Sequence, residues 1–406
     1  MTASIAVTGL GLVTPAGIGV DDTWTGVCAG QATAAPDPAL AGLPVDFSCR
    51  IPLTERELDR RTGRKAWRMG RFAKLAVLAA REAVRDAGLD PATWDGTRVA
   101  TVIGCGMGGL EKFEEQHARL EHRGADLTSP LAIPMIIPNL GTGEVSIDLQ
   151  ARGPGLSPAT ACASGASALA TARDLLAADL CDIAVTGGVE AAVSRVSTIG
   201  FWRMGALSER ADRAAASRPF AADRDGFVMA EGAGILVLER TADATARGVR
   251  PRALLAGCGS TSDGHHPTAL PEDAHGAEAA LRTALAEADL APYDVEHVNA
   301  HGTSTPLNDA AEAALIARVL PHRPSVTAAK GVLGHTLGAS GAIEAALTVL
   351  TLQHRRIPPI ANLQAPAPEF DIDCVTKQPR RQDLRIAVSH SFGFGGHNVV
   401  LVLTAP

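Results

Sequence analysis

Short apolar runs rich in Val and Ile alternate along this chain with longer Ala-rich stretches. Ile5-Ala6-Val7-Thr8, Val99 to Ile103, Asp182 to Val185, Gly234 to Glu239 and Arg252 to Ala256 read as buried strands, as do Val326 to Lys330, Leu384 to Val388 and Asn398 to Leu403. His297-Val298-Asn299-Ala300-His301 is a further strand that reaches a histidine. Helical spacing is clear in Phe72, Leu75, Ala76, Ala79 and Ala83, closed by Gly88, and in the stretches from Ser167 to about Ala178 and from Ala339 to Leu352. The segment from Ser129 to Asn139 is apolar but broken by prolines, which predicts irregular backbone buried against something. Strands alternating with helices predict an α/β protein with largely parallel sheets.

One pattern occurs twice. Thr160 to Ala178 and Lys330 to Leu352 each read as a strand, a Gly/Ser-rich elbow and an Ala-rich helix. The first elbow carries Cys162 and the second His335. Duplication would set such elbows together across a pseudo-twofold axis, with one half over residues 1–250 and the other over 251–406.

At 406 residues the chain is long enough for two ordinary domains or one duplicated one. Aromatics are only 3%, so the core has to come from small residues and closely packed helices. A net charge of -7 offers no basic field for nucleic acid, and no apolar run reaches membrane length. With no basic and apolar leader at the N-terminus, the expected location is cytoplasmic. The seven cysteines are scattered without a C-x-x-C pair, which argues against a metal site or a disulfide framework. The glycines from Gly9 to Gly17 suggest a dinucleotide-binding turn, but Pro15 interrupts them and the third glycine is out of register, so a structural turn is expected. The segment Arg60 to Lys74 is markedly basic in an acidic chain, either a solvated helix face or a docking patch for an acidic partner.

Cys162 stands where the first elbow meets its helix, and there the helix dipole favours thiolate over thiol. A nucleophilic cysteine needs a partner near in space. His301 and His335 both stand at strand ends or glycine elbows, and Lys330 precedes His335 by five residues. A hydrolase needs one histidine beside its thiol, whereas a second imidazole can stabilise charge on another carbonyl. That points to a second substrate group reacting at an acyl-cysteine.

Thr160-Ala161-Cys162-Ala163-Ser164-Gly165, Asn299-Ala300-His301-Gly302-Thr303-Ser304-Thr305-Pro306, Lys330-Gly331-Val332-Leu333-Gly334-His335 with Gly338-Ala339-Ser340-Gly341, and Gly393-Phe394-Gly395-Gly396 together closely resemble the β-ketoacyl-(acyl carrier protein) synthases. The elongating enzymes of fatty acid and type II polyketide synthesis are the most similar, and the resemblance runs from Val7 to about Leu403. It implies a duplicated five-layer thiolase-like fold, αβαβα, and decarboxylative Claisen condensation of an acyl chain on Cys162 with malonyl-acyl carrier protein. His301 and His335 would hold the malonyl thioester carbonyl, and the N–H groups of Cys162 and Phe394 would form the oxyanion hole. Lys330 matches a lysine that orders the site, Glu344 its acidic partner, and Phe394 an aromatic gate. Thr303, Thr305 and Thr268 would bind the phosphopantetheine arm. Met107, Phe201, Ala132 and Ile133 fall at the acyl pocket, the last two in a segment that a dimer mate contributes. No cofactor is implied beyond the carrier's arm.

Acyl carrier proteins are acidic, so Arg64, Lys65 and Arg68 become the first choices for docking one. The partner subunit implied is a second copy or a chain-length-factor-like chain. Gly205 stands where an arginine is common near the carrier entrance, with Arg203 as a substitute. His397 replaces a threonine and His390 an asparagine, which alters polarity near the gate. Ala132 sits where a bulky aromatic can stand, which would open space for a longer or stiffer chain and favours a polyketide- or polyene-type enzyme. A chain-length factor, which does not elongate, lacks the cysteine; a thiolase needs a cysteine in the last glycine loop; a papain-like hydrolase needs a Cys-Gly-x-Cys signature. None of the three fits.

Overall fold

The first apolar run continues straight through its glycines. In the computed structural model, which describes residues 4–406, Ile5–Thr14 is one buried strand, β1. The expected glycine turn is therefore strand, and the glycines serve helix packing. A Cβ on Gly9 would lie 2.1 Å from the carbonyl oxygen of Ala83, and one on Gly11 1.9 Å from that of Ala79. Only hydrogen at those positions lets helix α1 (Arg71–Asp86) lie so close.

The chain continues through β2 (Val99–Gly104), β3 (Gly155–Leu156), α2 (Ser164–Ala177), β4 (Ile183–Glu190) and β5 (Gly232–Arg240). The second part repeats the plan with β6 (Ala253–Ser262), α3 (His275–Glu287), β7 (His297–Asn299), α4 (Pro306–Val319), β8 (Ser325–Thr327), α5 (Ser340–His354), β9 (Ile386–Gly393) and β10 (His397–Thr404). In space the strands run β1-β5-β4-β2-β3 and β6-β10-β9-β7-β8, and β1 joins β6 antiparallel. Each series has the same ladder types in the same order: antiparallel, antiparallel, parallel, parallel. The expectation of largely parallel sheets is corrected to this even mixture. Antiparallel neighbours arise because β1 and β5, and β6 and β10, meet from opposite ends of each repeat.

The layers stack as αβαβα. Helix α1 covers the outer face of the first sheet, α2 and α5 fill the space between the sheets, and α3 and α4 cover the second. The central pair crosses on glycine. A Cβ on Gly165 would lie 2.8 Å from Ala342 N, and one on Gly341 2.8 Å from Ala166 N. A chain poor in aromatics gains its core from such approaches, where backbone meets backbone. The proline-broken segment holds one short helix, Ala132–Ile136. No helix among the described residues is long and apolar enough to cross a membrane.

Candidate active site

Strand β3 has only two residues, so the expected strand into the cysteine is mostly extended backbone. Ala161 then takes φ +49°, in the left-handed region that non-glycine residues enter at a cost. A 3-10 turn over Ala161–Ala163 carries Cys162, and α2 begins at Ser164, earlier than the expected Ser167. The Ser164 hydroxyl holds the elbow by donating to Ala161 O (2.7 Å) and accepting from Thr160 N (3.0 Å). The thiol is buried. Burial pushes it up to about 11, against the pull of Lys330 and of the Phe394 N–H. Burial thus works against the expected thiolate, because desolvation penalises the charged sulfur.

His335 lies in the loop before α5, with Nε2 3.1 Å from Cys162 Sγ. Its Nδ1 accepts from Leu337 N (3.2 Å) and faces Ser340 Oγ at 3.1 Å. A ring nitrogen that accepts a backbone N–H carries no proton, so the proton of the neutral ring sits on Nε2. His301 lies just past the end of β7, and its Nδ1 faces Lys330 Nζ at 3.3 Å. An ammonium can only donate, so His301 also carries its proton on Nε2. Burial, with Lys330 adding to it, holds both imidazoles well below the ordinary histidine range, so both stay neutral. Lys330 is anchored by His301 O (2.6 Å) and by Glu344, in an ion pair sealed from solvent. Burial pushes Glu344 up to about 7 against the attraction of Lys330.

Two imidazole N–H groups therefore converge beside one thiol. The sulfur and the two histidine nitrogens lie within 4.8 Å of one another, a spacing that a metal ion also accepts. A metal needs a lone pair on Nε2, and the donors behind both rings hold a proton there instead. The donor set fits an oxyanion and not a cation.

The cavity that ends at Cys162 has a volume of about 460 Å³, and Met107, Phe201, Phe394, Thr303, Thr305 and Thr268 line it. Thr303 and Thr305 share a hydroxyl hydrogen bond of 2.9 Å, while Thr268 is exposed at the mouth. Phe201 links the gate to the histidines: its ring is 6.3 Å from Phe394 and 5.3 Å from Phe227, which in turn is 5.1 Å from His335. Ala132 and Ile133 do not line the cavity of their own chain, and Ile133 is 65% exposed.

The basic run is not one patch. Arg71 and Lys74 are buried in ion pairs with Glu231, Glu55 and Asp59, and Arg68 pairs with Glu144 at 2.6 Å, which leaves Arg60, Arg61, Arg64 and Lys65 exposed. Gly205 lines the mouth, whereas the Arg203 guanidinium lies over the Trp202 ring at 5.9 Å. His390 is wholly buried against Glu312.

Sequence reasoning missed Glu190 and Glu312. Glu190 ends β4, fully buried, and accepts from the N–H groups of Gly106 (2.9 Å), Met107 (3.2 Å) and Gly338 (3.2 Å). Burial raises its carboxyl above the usual range, and those three N–H groups oppose the shift. Its sign in the sequence is a single acidic residue closing an apolar strand, Ile183 to Glu190. Glu312 accepts from His301 N and Gly302 N, both at 2.8 Å. It is one of two buried acidic residues, with Asp309, in an Ala-rich helix, and its neighbours in sequence do not mark it as buried.

Residues 2–244 match the family described as Beta-ketoacyl synthase, N-terminal domain, and residues 252–364 match Beta-ketoacyl synthase, C-terminal domain. Among curated proteins, 3-oxoacyl-[acyl-carrier-protein] synthase 2 of Staphylococcus aureus (strain COL) is 38% identical over 410 residues, covering 98% of this chain and 97% of the relative. The Synechocystis protein of the same name is 40% identical over 404 residues, covering 98% and 97%. Two solved structures cover both chains fully with TM-scores of 0.92. One is a type II PKS ketosynthase bound to the hexaketide in complex with its acyl-carrier protein, at 30% identity, and the other the ishigamide ketosynthase/chain length factor, at 31%.

Proposed function

The chain belongs to the β-ketoacyl synthase family, and we propose how its own residues divide the work of condensing an acyl chain with malonyl-acyl carrier protein. The observation that carries the reading is the pair of Nε2–H groups aimed beside Cys162. The substrates arrive on the phosphopantetheine arm of the carrier protein, past Thr268 and against the Thr303–Thr305 hydroxyl pair. Cys162 gives up its proton and its sulfur attacks the acyl thioester carbon. The N–H groups of Cys162 and Phe394 hold the oxyanion, and the carrier's thiol leaves with a proton.

Malonyl-carrier protein then places its thioester carbonyl between His301 and His335. The bond to the carboxylate breaks, carbon dioxide leaves, and the electron pair enters the thioester as an enolate whose oxygen accepts from both Nε2–H groups. The enolate carbon attacks the acyl-cysteine carbonyl. The tetrahedral adduct collapses, the carbon–sulfur bond breaks, and the sulfur takes up a proton supplied by solvent. Neutral imidazoles suit this step because they donate without repelling Lys330 and without a proton having to be taken up first.

Arg64 and Lys65, exposed beside Arg60 and Arg61, dock the acidic carrier protein, with Arg68 contributing less because Glu144 already holds it. Leu156 on the edge strand β3 and the exposed Ile133 and Ile147 support pairing with a second copy or with a chain-length-factor-like subunit. The workplace is the cytoplasm, in fatty acid or type II polyketide elongation, and Ala132 favours the polyketide side. The test mixes the protein with acyl- and malonyl-carrier protein over chains of differing length and unsaturation, and follows the mass of Cys162 and of the products. Acylation of Cys162 followed by a two-carbon-longer β-ketoacyl product is the expected result. Condensation that survives C162A overturns the mechanism.

A further inference from the structure

His390 belongs to none of the steps above, yet it is one of the most deeply buried polar residues of the molecule. It lies on β9, two residues before Phe392, so the two side chains leave the same face of the strand. Its Nδ1 is 3.0 Å from Glu312 Oε1, and both side chains are fully buried. Glu312 is an acceptor shared by four donors. Its Oε1 takes His301 N at 2.8 Å as well as His390, and its Oε2 takes Gly302 N at 2.8 Å and, more loosely, Asn308 Nδ2 at 3.5 Å. The Phe392 ring lies between the two imidazoles, 5.4 Å from that of His390 and 5.8 Å from that of His301. Lys330, paired with Glu344, faces the Nδ1 of His301.

We infer that His390 is a positioning residue for the decarboxylative half of the reaction, which steadies His301 through Glu312 and Phe392. The carboxylate clamps the turn His301–Gly302, where Gly302 has φ +39° and the chain leaves β7. The donor from His390 fixes that carboxylate from behind. Without it the carboxylate keeps its two backbone partners and the long contact to Asn308 Nδ2 but gains rotational freedom, and the His301 Nε2–H drifts from the point where enolate charge develops. Cys162 and its oxyanion donors hang on α2 and the Phe394 turn, so acylation does not depend on this clamp. The His390 Nε2 has no partner among the described residues, so one donor, and not the whole imidazole, is what the clamp uses.

The inference rests on the condensation reading above, and its test reads the two half-reactions separately. H390L and H390F remove the donor; H390N keeps an N–H that reaches Glu312. Transfer of an acyl group to Cys162 is followed by mass, condensation by kcat and by KM for malonyl-carrier protein, and folding by thermal melting. H390L and H390F are expected to lower kcat for condensation by about tenfold. Acylation and KM should stay within about twofold, and H390N should restore kcat to within about threefold. The inference is overturned if H390N is as impaired as H390L, if acylation and condensation fall together, or if H390L is unimpaired. It is also overturned if neither apolar variant folds while H390N does, because the bond is then a requirement of folding. A wild-type protein that never acylates Cys162 would instead sink the condensation reading itself.

Discussion

The two elbows at the centre of the molecule have nearly the same backbone and opposite contents. Ala161 (φ +49°) opens a 3-10 turn over Ala161–Ala163, and α2 follows at Ser164; Leu337 (φ +47°) opens a 3-10 turn over Leu337–Ala339, and α5 follows at Ser340. Superposed by that geometry, Ser164 matches Ser340 and Gly165 matches Gly341, so the counterpart of Cys162 is Gly338 and not His335. A Cβ on Gly338 would lie 2.6 Å from Gly106 N and 2.7 Å from a Glu190 carboxylate oxygen. The first elbow presents a side chain to the cavity. The second gives up its side chain so that Glu190 and the Gly106 loop can close against it, and the loop upstream delivers His335 instead. A duplicated frame has become one active site by filling one elbow and emptying the other.

The largest effect expected is from C162A, which should abolish both acylation and condensation in the carrier-protein assay while the fold melts unchanged; residual condensation would mean that the filled elbow is not the nucleophile. Next comes the pH dependence of that thiol. Alkylation of Cys162 should climb about tenfold per pH unit through the neutral range and level off only near pH 11. A plateau by pH 8 would show that the α2 dipole overcomes burial after all. The histidines move the other way. Their depressed pKa values keep them neutral well below the ordinary 6.5, so in that range the unfolded chain binds protons that the native one refuses. Chemical denaturation should accordingly show stability falling as the pH drops below about 6.5.

Adding a methyl to the empty elbow comes third. G338A pushes on backbone and a buried carboxylate, and should lower stability by about 1–3 kcal/mol. The melting curve measures it, and a neutral result would break the contrast drawn between the elbows. The smallest effects come from the matched serines. S164A removes a hydroxyl that ties only backbone and should cost about 1 kcal/mol with little loss of activity. S340A removes a partner of His335 Nδ1, which Leu337 N still holds, so kcat for condensation should fall about threefold with little change in melting. Exchange of those two outcomes would refute the division of labour.

Much of this was legible in the chain. The strands and the helices α1, α2 and α5 follow from periodicity, whereas α3 and α4 do not stand out in the sequence; Cys162, His301, His335 and Lys330 stand out by residue type at glycine elbows. Local signals failed where partners distant in sequence decide. Gly9 and Gly11 look like a turn until Ala79 and Ala83 pack on them, and Arg71 and Lys74 look like a solvated face until Glu231, Glu55 and Asp59 claim them.

The amino-acid sequence by itself determined the alternation of elements, the doubling of the plan and which residues carry the chemistry, because periodicity and residue type are local properties. Only the tertiary structure decided that the thiol is held protonated, that both imidazoles keep their protons on Nε2, and that Glu190, Glu312 and His390 stand behind them. Protonation and tautomer depend on desolvation and on donors such as Leu337 N, Lys330 Nζ and Phe394 N, which reach the site from separate segments and act there only once the two sheets have closed on α2 and α5.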